Sequence, residues 1–314
     1  AASVDRYPEG SSNALRVALG AKYGLDPARI ICGTGSDDIL QLVANAFTGP
    51  GDEVIYVRYG FAVYEIAAKR YGGTAVVADD RDYGTDIDAI LAKVTAKTKL
   101  IYLANPNNPT GTLSGAAEIK RLHEALPGNV LLVLDGAYAE YLEVDEDDGA
   151  LELAKTASNI LITRTFSKIH GLAAERIGWG YASPAIIDAM NRIRQPFNVT
   201  TAGQEAALAA LADDDFVERS RAHNRKWRGW MASEIEALGN HSLRVVPSYT
   251  NFLLVLFEGK VTAEEANKAL MDRGYAVRWL PGQGLVNGLR ITIGTEEENL
   301  GFMDALRGIL EAAN

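Results

Sequence analysis

Between Thr163 and Trp179 the sequence reads TRTFSKIHGLAAERIGW, which sets Lys168 beside Thr165 and Ser167 and eight residues before Arg176. An amine can condense with a carbonyl, and short hydroxyl donors with a guanidinium can hold a phosphate dianion, so this stretch suits a phosphorylated aldehyde. A solvent-facing loop lysine explains the segment equally well when it is taken alone. Gly33-Thr34-Gly35 follows an apolar run, but the third glycine of a dinucleotide fingerprint would fall at Asp38. What remains is a glycine turn opening a helix whose free N–H groups at Gly35, Ser36 and Asp37 could bind a phosphate. The plainer reading is a helix start capped by Ser36. In Asn105-Pro106-Asn107-Asn108-Pro109-Thr110-Gly111, two prolines and a glycine impose an irregular turn from which Asn108 could donate to a phenolate-type oxygen; an ordinary turn is the alternative. Asp135 ends the run Leu131-Leu132-Val133-Leu134, where a carboxylate needs a partner against desolvation, and a protonated ring nitrogen would serve. Tyr138, three residues on, could supply a second phenolic donor.

These residues sit at the ends of regularly alternating segments. Helical spacing covers Ser11–Gly24, Asp37–Phe47, Ala62–Tyr71, Ile87–Val94 and Ala116–Leu126; strand-like runs cover Arg29–Cys32, Glu53–Val57, Thr74–Ala78, Leu100–Ala104, Val130–Asp135, Asn159–Ile162 and Ile177–Gly180. The alternation predicts an α/β fold with a mostly parallel sheet, whose carboxyl edge is where ligands bind. After Trp179 the pattern changes to helix over Pro184–Arg194, a break at Pro196-Phe197-Asn198, and one long helix that starts at Ala202 and runs into a polar segment around Asn224–Leu238; the domain junction is placed within that long helix. Strands at Ser242–Val246, Phe252–Phe257 and Leu289–Ile293, with helices at Ala263–Asp272 and Asn299–Ala312, predict a small α+β domain. The expected division is 1–212 and 213–314. The acidic stretch Glu143–Asp148 reads as a solvated loop.

A chain of 314 residues can bury a large core. Its net charge of −10 and sequence pI near 5.0 argue against a nucleic-acid partner. No run approaches the roughly 18 apolar residues of a membrane span, and AASVDRYPEG lacks a signal-peptide profile, so a cytoplasmic protein is expected. Cys32 stands alone, and His123, His170, His223 and His241 show no metal-ligand spacing.

Taken in order, NPNNPTG, Asp135 with Tyr138, Thr165-x-Ser167-Lys168 with Arg176, and Leu289-Arg290-Ile291-Thr292-Ile293-Gly294-Thr295 resemble the fold-type I pyridoxal-phosphate-dependent aminotransferases, and within them the histidinol-phosphate aminotransferases. The resemblance runs from Tyr7 to the C-terminal helix. It implies a large domain built on a seven-stranded, mostly parallel sheet and a small C-terminal domain. It further implies pyridoxal 5′-phosphate held covalently by Lys168, with Asp135 on the ring nitrogen and Asn108 and Tyr138 on the ring oxygen. Phe61 would stack on the ring, and Gly35, Ser36, Asp37, Thr165, Ser167 and Arg176 would bind the phosphate. Tyr7 would reach the site of a second subunit, implying a homodimer, and Arg290 would receive the anionic group of the substrate, with Asn108 nearby. The implied reaction moves an amino group from histidinol phosphate to 2-oxoglutarate. An aromatic amino acid aminotransferase, a threonine-phosphate decarboxylase and a catalytically silent cofactor-binding protein are the alternatives. Three departures stand out: the sequence begins just before RYPEG, where such enzymes carry an arm with an Asn-Glu-Asn-Pro-type segment; Gly136 replaces the glutamate of Asp-Glu-Ala-Tyr; and Glu175 precedes Arg176, either to tether it or to face solvent.

Overall fold

The computed structural model describes residues 5–238 and 242–313; His241 lies outside them. The first part alternates: α1 (Asn13–Tyr23), β1 (Ile30–Gly33), α2 (Ser36–Phe47), β2 (Glu53–Val57), α3 (Val63–Arg70), β3 (Thr74–Ala78), α4 (Ile87–Ala92), β4 (Thr98–Ala104), α5 (Ala116–Ala125), β5 (Leu131–Asp135), α6 (Ala150–Thr156), β6 (Ile160–Thr165) and β7 (Gly178–Ala182). Then come α7 (Pro184–Ile193), α8 (Thr201–Ala212), α9 (Asp214–Glu236), β8 (Leu243–Val246), β9 (Phe252–Phe257), α10 (Ala263–Met271), β10 (Arg278–Leu280), β11 (Leu285–Thr292) and α11 (Glu296–Ala312).

The large sheet has seven strands in the order β1-β7-β6-β5-β4-β2-β3. Its pairs are parallel except where β7 runs antiparallel to β1 and β6. The central strands are apolar without alternation because helices cover both faces: β5 and Leu100–Ala104 of β4 are buried at every residue. One core packs α1, α5, α6 and α8 on one face around Leu15, Leu122 and Leu132, and the other packs α2, α3 and α7 around Leu40, Tyr64 and Val133. Register places Ala104 beside Asp135 and Asp135 beside Thr163, so β4, β5 and β6 release their loops at one edge. The small sheet, β10-β11-β9-β8, is antiparallel throughout, and α9, α10 and α11 bury Leu253, Val255, Leu289 and Ile291 on one face.

Several segments differ from the sequence expectation. The continuous helix expected beyond Ala202 is two helices, because Asp213 leaves helical geometry and its carboxylate accepts the Phe216 N–H at 2.9 Å, starting α9 afresh. Ser36 is not the cap of α2; Gly35, at φ 86°, holds that position, and Ser36 is the first helical residue. The acidic stretch is not uniformly solvated: Asp148 is buried, accepting from Asn105 Nδ2 at 3.0 Å and from the Ala150 N–H at 3.0 Å. Helix α6 and strand β10, too short to show a period, were not anticipated, and β11 begins four residues earlier than its strongest apolar run.

Candidate active site

The three loops leaving β4, β5 and β6, the start of α2, and β10–β11 of the small sheet enclose a cavity of about 280 Å³. It is lined by Ser36, Asp37, Phe61, Asn108, Asp135, Tyr138, Thr165, Ser167, Lys168, Arg176 and Arg290, together with Arg278 and Gln283. All the proposed site residues except Gly35 and Tyr7 thus meet on one wall or another.

Lys168 is half-buried at the head of a tight turn, where its carbonyl accepts the Gly171 N–H at 2.9 Å. Thr165 fixes the approach: its hydroxyl accepts the Ser167 N–H at 3.1 Å and donates to the Ile177 carbonyl at 3.3 Å. Lys168 Nζ lies 5.2 Å from the centre of the Tyr138 ring. Arg176 Nη1 donates to Ser167 Oγ at 3.2 Å and to the Ala173 carbonyl at 2.9 Å. Among the described residues no ion pair joins Glu175 to Arg176.

The start of α2 is pressed against this loop by missing side chains. A Cβ on Gly178 of β7 would sit 2.3 Å from the Ser36 nitrogen, and one on Gly35 would sit 2.6 Å from Arg176 Nη2. Glycine at both positions lets the N–H groups of Ser36 and Asp37, the hydroxyls of Ser36, Thr165 and Ser167 and the Arg176 guanidinium gather at one space, an arrangement suited to a phosphate dianion; the Gly35 N–H, expected to join them, is instead taken by the Gly33 carbonyl at 2.9 Å.

Asp135 is buried, and burial pushes its carboxyl above the usual carboxylate range. Two donors work against that rise: Tyr64 Oη donates to Oδ2 at 2.9 Å and Thr163 Oγ1 donates to Oδ1 at 3.0 Å. A cationic ring nitrogen beside Asp135 would offset its desolvation further. Tyr64 is itself stacked on Tyr102, centroids 4.8 Å apart, so the carboxylate is held rigidly.

Asn105-Pro106 and Asn108-Pro109 are both cis, and Asn105 and Asn107 anchor the turn by bonds to Ser114, Asp148, Tyr59 and Thr110. Asn108 meets Arg290, whose Nη1 donates to Oδ1 at 2.6 Å. A guanidinium only donates, so the amide must turn its oxygen toward Arg290, leaving Nδ2 as the free donor. The sequence expectation that Asn108 donates to a ring oxygen is therefore compatible with the contact. Arg290 lies over Phe252, 5.0 Å from the ring centre, and its Nε is buried without a partner. Burial, with Arg278 adding to it, lowers its pKa from the ordinary arginine value. Arg278 is its cross-strand neighbour.

Tyr7 is 83 % exposed, stacks on Phe197 at 4.8 Å, and takes no part in its own chain's cavity. Sequence reasoning missed Tyr64 and Thr163, which hold Asp135, and Arg278 and Gln283 on the cavity wall. Tyr64 is indistinguishable in sequence from a core aromatic, whereas Arg278 leaves only the alternation Val277-Arg278-Trp279. The donors present fit a phosphorylated, carbonyl-bearing ring: amine, phosphate cradle, buried carboxylate and two amide or phenol donors share one cavity.

The family model for aminotransferases of class I and II matches residues 2–306. A histidinol-phosphate aminotransferase of Sphingopyxis alaskensis is 66% identical over 308 residues, 98% of this chain and 83% of that protein. The corresponding protein of Zymomonas mobilis is 59% identical over 308 residues, 98% of this chain and 82% of its own length. Among solved structures, the histidinol-phosphate aminotransferase of Sinorhizobium meliloti in complex with pyridoxal-5′-phosphate aligns with a TM-score of 0.90 at 29% identity, covering 98% of this chain and 84% of that one. The chain belongs to the class I and II aminotransferases and, within them, to the family of histidinol-phosphate aminotransferases.

Proposed function

We propose that this chain moves the amino group of histidinol phosphate to 2-oxoglutarate, a step of histidine biosynthesis, with pyridoxal 5′-phosphate bound at Lys168. The observation that carries the reading is the pairing of Arg278 with Arg290 across β10 and β11 on the wall of the cavity that holds Lys168. Two guanidiniums match a phosphate dianion in charge and can donate to it in bidentate fashion. Pyridoxal phosphate supplies, when bound, a carbonyl for the amine and a protonated ring that accepts electrons when the Cα–H bond breaks.

The side chains divide that work. Lys168 Nζ would hold the cofactor and, when freed from it, would serve as the base that takes the proton from the substrate Cα. With the cofactor bound, Asp135 would hold the proton on the ring nitrogen, and the Tyr64 and Thr163 hydroxyls favour its ionised form and keep it aligned. In the same state Asn108 Nδ2 and Tyr138 Oη would donate to the ring oxygen and Phe61 would pack on the ring. The first turn of α2, Thr165, Ser167 and Arg176 bind the phosphate of the cofactor. Tyr7, exposed and outside its own cavity, reaches the phosphate of a second copy, so the working unit is a homodimer. The division at 212 and 213 separates the cofactor-binding part from the part carrying Arg290. We place the enzyme in the cytoplasm, as befits a step of amino-acid biosynthesis; separately, no helix among the described residues is long and apolar enough to cross a membrane.

Arg290→Ala should lower kcat/KM for histidinol phosphate by about 2–5 kcal/mol, the range for truncating one partner of a buried charge pair. Histidinol, which lacks the phosphate, should be poor with the native enzyme and lose much less on the exchange. A small loss common to both donors is expected because Asn108 is released. Equal losses for the two donors would sink the assignment of Arg290 to the phosphate.

A further inference from the structure

A second set of polar side chains packs behind the cavity. Arg164 Nη1 and Glu140 Oε1 are 3.6 Å apart, with side chains 13% and 10% exposed. Arg164 lies in β6 between Thr163, which holds Asp135, and Thr165 of the phosphate cradle. Glu140 lies in the single 3-10 turn Ala139–Tyr141 that directly follows Tyr138. Arg164 reaches Glu140 by running over Gly136: a Cβ there would be 3.0 Å from Arg164 Nε and 3.2 Å from its Cδ. The backbone of Gly136 is not in the left-handed region, so what crowds a side chain there is the path of Arg164 and the Thr163 carbonyl at 3.2 Å, and a Cβ would need Arg164 to shift by a few tenths of an ångström. From α9, Arg221 Nε donates to the Glu140 carbonyl at 3.0 Å.

Glu140 is thus gripped at its carboxylate from the sheet and at its carbonyl from the helix that leads into the small domain. The grip is not optimised for stability. A buried ion pair is often replaceable by apolar residues at no loss, 3.6 Å is long for a hydrogen bond, and Glu140 Oε2 meets no partner. His170, two residues beyond Lys168, is buried nearby with Nδ1 also unpartnered; burial lowers its pKa, and the Glu140 charge opposes that. The arrangement sits between the two loops that carry Tyr138 and Lys168. Tyr138 is buried edge-on against Phe252, centroids 5.3 Å apart, so the direction of its hydroxyl follows the turn on which it stands.

We infer that Glu140 is a positioning residue: held by Arg164 in the space that Gly136 leaves open and by Arg221 from α9, it fixes the turn that aims the Tyr138 hydroxyl at the cofactor's ring oxygen. The inference rests on the reading of Tyr138 given above. A donor at that oxygen stabilises its negative charge, so the neighbouring nitrogen gives up its proton more readily; weakening the donor moves the pH midpoint of the cofactor's absorption band upward.

The test is a spectrophotometric pH titration of the holoenzyme, with cofactor affinity by fluorescence titration and Tm alongside, in Tyr138→Phe, Glu140→Gln and Gly136→Ala. Tyr138→Phe should raise the midpoint by roughly one unit, the size of one hydrogen bond to a charged group. Glu140→Gln, which removes the charge, and Gly136→Ala, which displaces Arg164 while leaving both charges in place, should each raise it by roughly half of that. Adding Glu140→Gln to Tyr138→Phe should produce no further shift. A midpoint that does not move in Tyr138→Phe overturns the reading of Tyr138 and the positioning role with it. A midpoint that moves there but stays native in both Glu140→Gln and Gly136→Ala, even with a lowered Tm, overturns the positioning role alone. Should Glu140→Gln fail to fold, Gly136→Ala decides by the same criterion.

Discussion

Lys168→Ala is expected to lower turnover by roughly four orders of magnitude or more, because it removes both the covalent anchor and the base, the latter alone worth ~10²–10⁴-fold. Among the described residues no other lysine lines the cavity. Borohydride treatment of the native holoenzyme should therefore fix the cofactor to the peptide containing Lys168 and bleach its band. The variant should still take up cofactor through the α2 N-terminus, Ser167 and Arg176, but reduction should fix none of it. A reducible adduct on another lysine of the variant would contradict the assignment.

Asp135→Asn should leave cofactor binding measurable while turnover falls by several orders of magnitude, since an amide cannot hold the ring-nitrogen proton as a carboxylate does. The same exchange has an opposite effect on the cofactor-free protein. Burial raises the folded-state pKa of Asp135 above its unfolded value. At pH below the ordinary carboxylate range, about 4, both states hold the proton and the group contributes no pH dependence. Above it the unfolded chain loses the proton first, so stability falls as pH rises toward the raised folded value. Asparagine carries no such penalty. Cofactor-free Asp135→Asn should gain Tm relative to the native protein as pH is raised above about 4, and the gain should shrink or reverse when the cofactor supplies its cationic ring. A Tm difference independent of pH would show that desolvation of Asp135 is not the controlling effect.

What was legible in sequence is what the chain keeps local. Thr165 ends β6 and Ser167, Lys168 and Arg176 follow in the loop between β6 and β7, while Asp135 and Tyr138 belong to one strand end, each announced by an apolar run. Because parallel strands are buried on both faces, their ends are sharp in sequence, and the parallel α/β architecture follows from the alternation. Lateral order is another matter: that β1 pairs antiparallel with β7, bringing Gly178 against Ser36, depends on contacts between residues far apart in the chain. The same holds for Tyr64, whose hydroxyl meets Asp135 from α3, and for Asp148, which looks solvated among its acidic neighbours but serves Asn105. Arg278 was hidden by the shortness of β10, a three-residue strand whose role is set by its partner β11. Gly136 was visible as a departure, but its meaning depends on the path of Arg164 across it.

The most direct measurement is steady-state kinetics of the native enzyme with 2-oxoglutarate and each of histidinol phosphate, phenylalanine and tyrosine as donor. If the paired arginines Arg278 and Arg290 are there to take a phosphate, kcat/KM for histidinol phosphate will exceed that for either aromatic amino acid by at least about 10²-fold, the worth of roughly 3 kcal/mol of charge-assisted binding. Equal or higher values for phenylalanine or tyrosine, or release of CO₂ in place of a keto product from any phosphorylated donor, would contradict it.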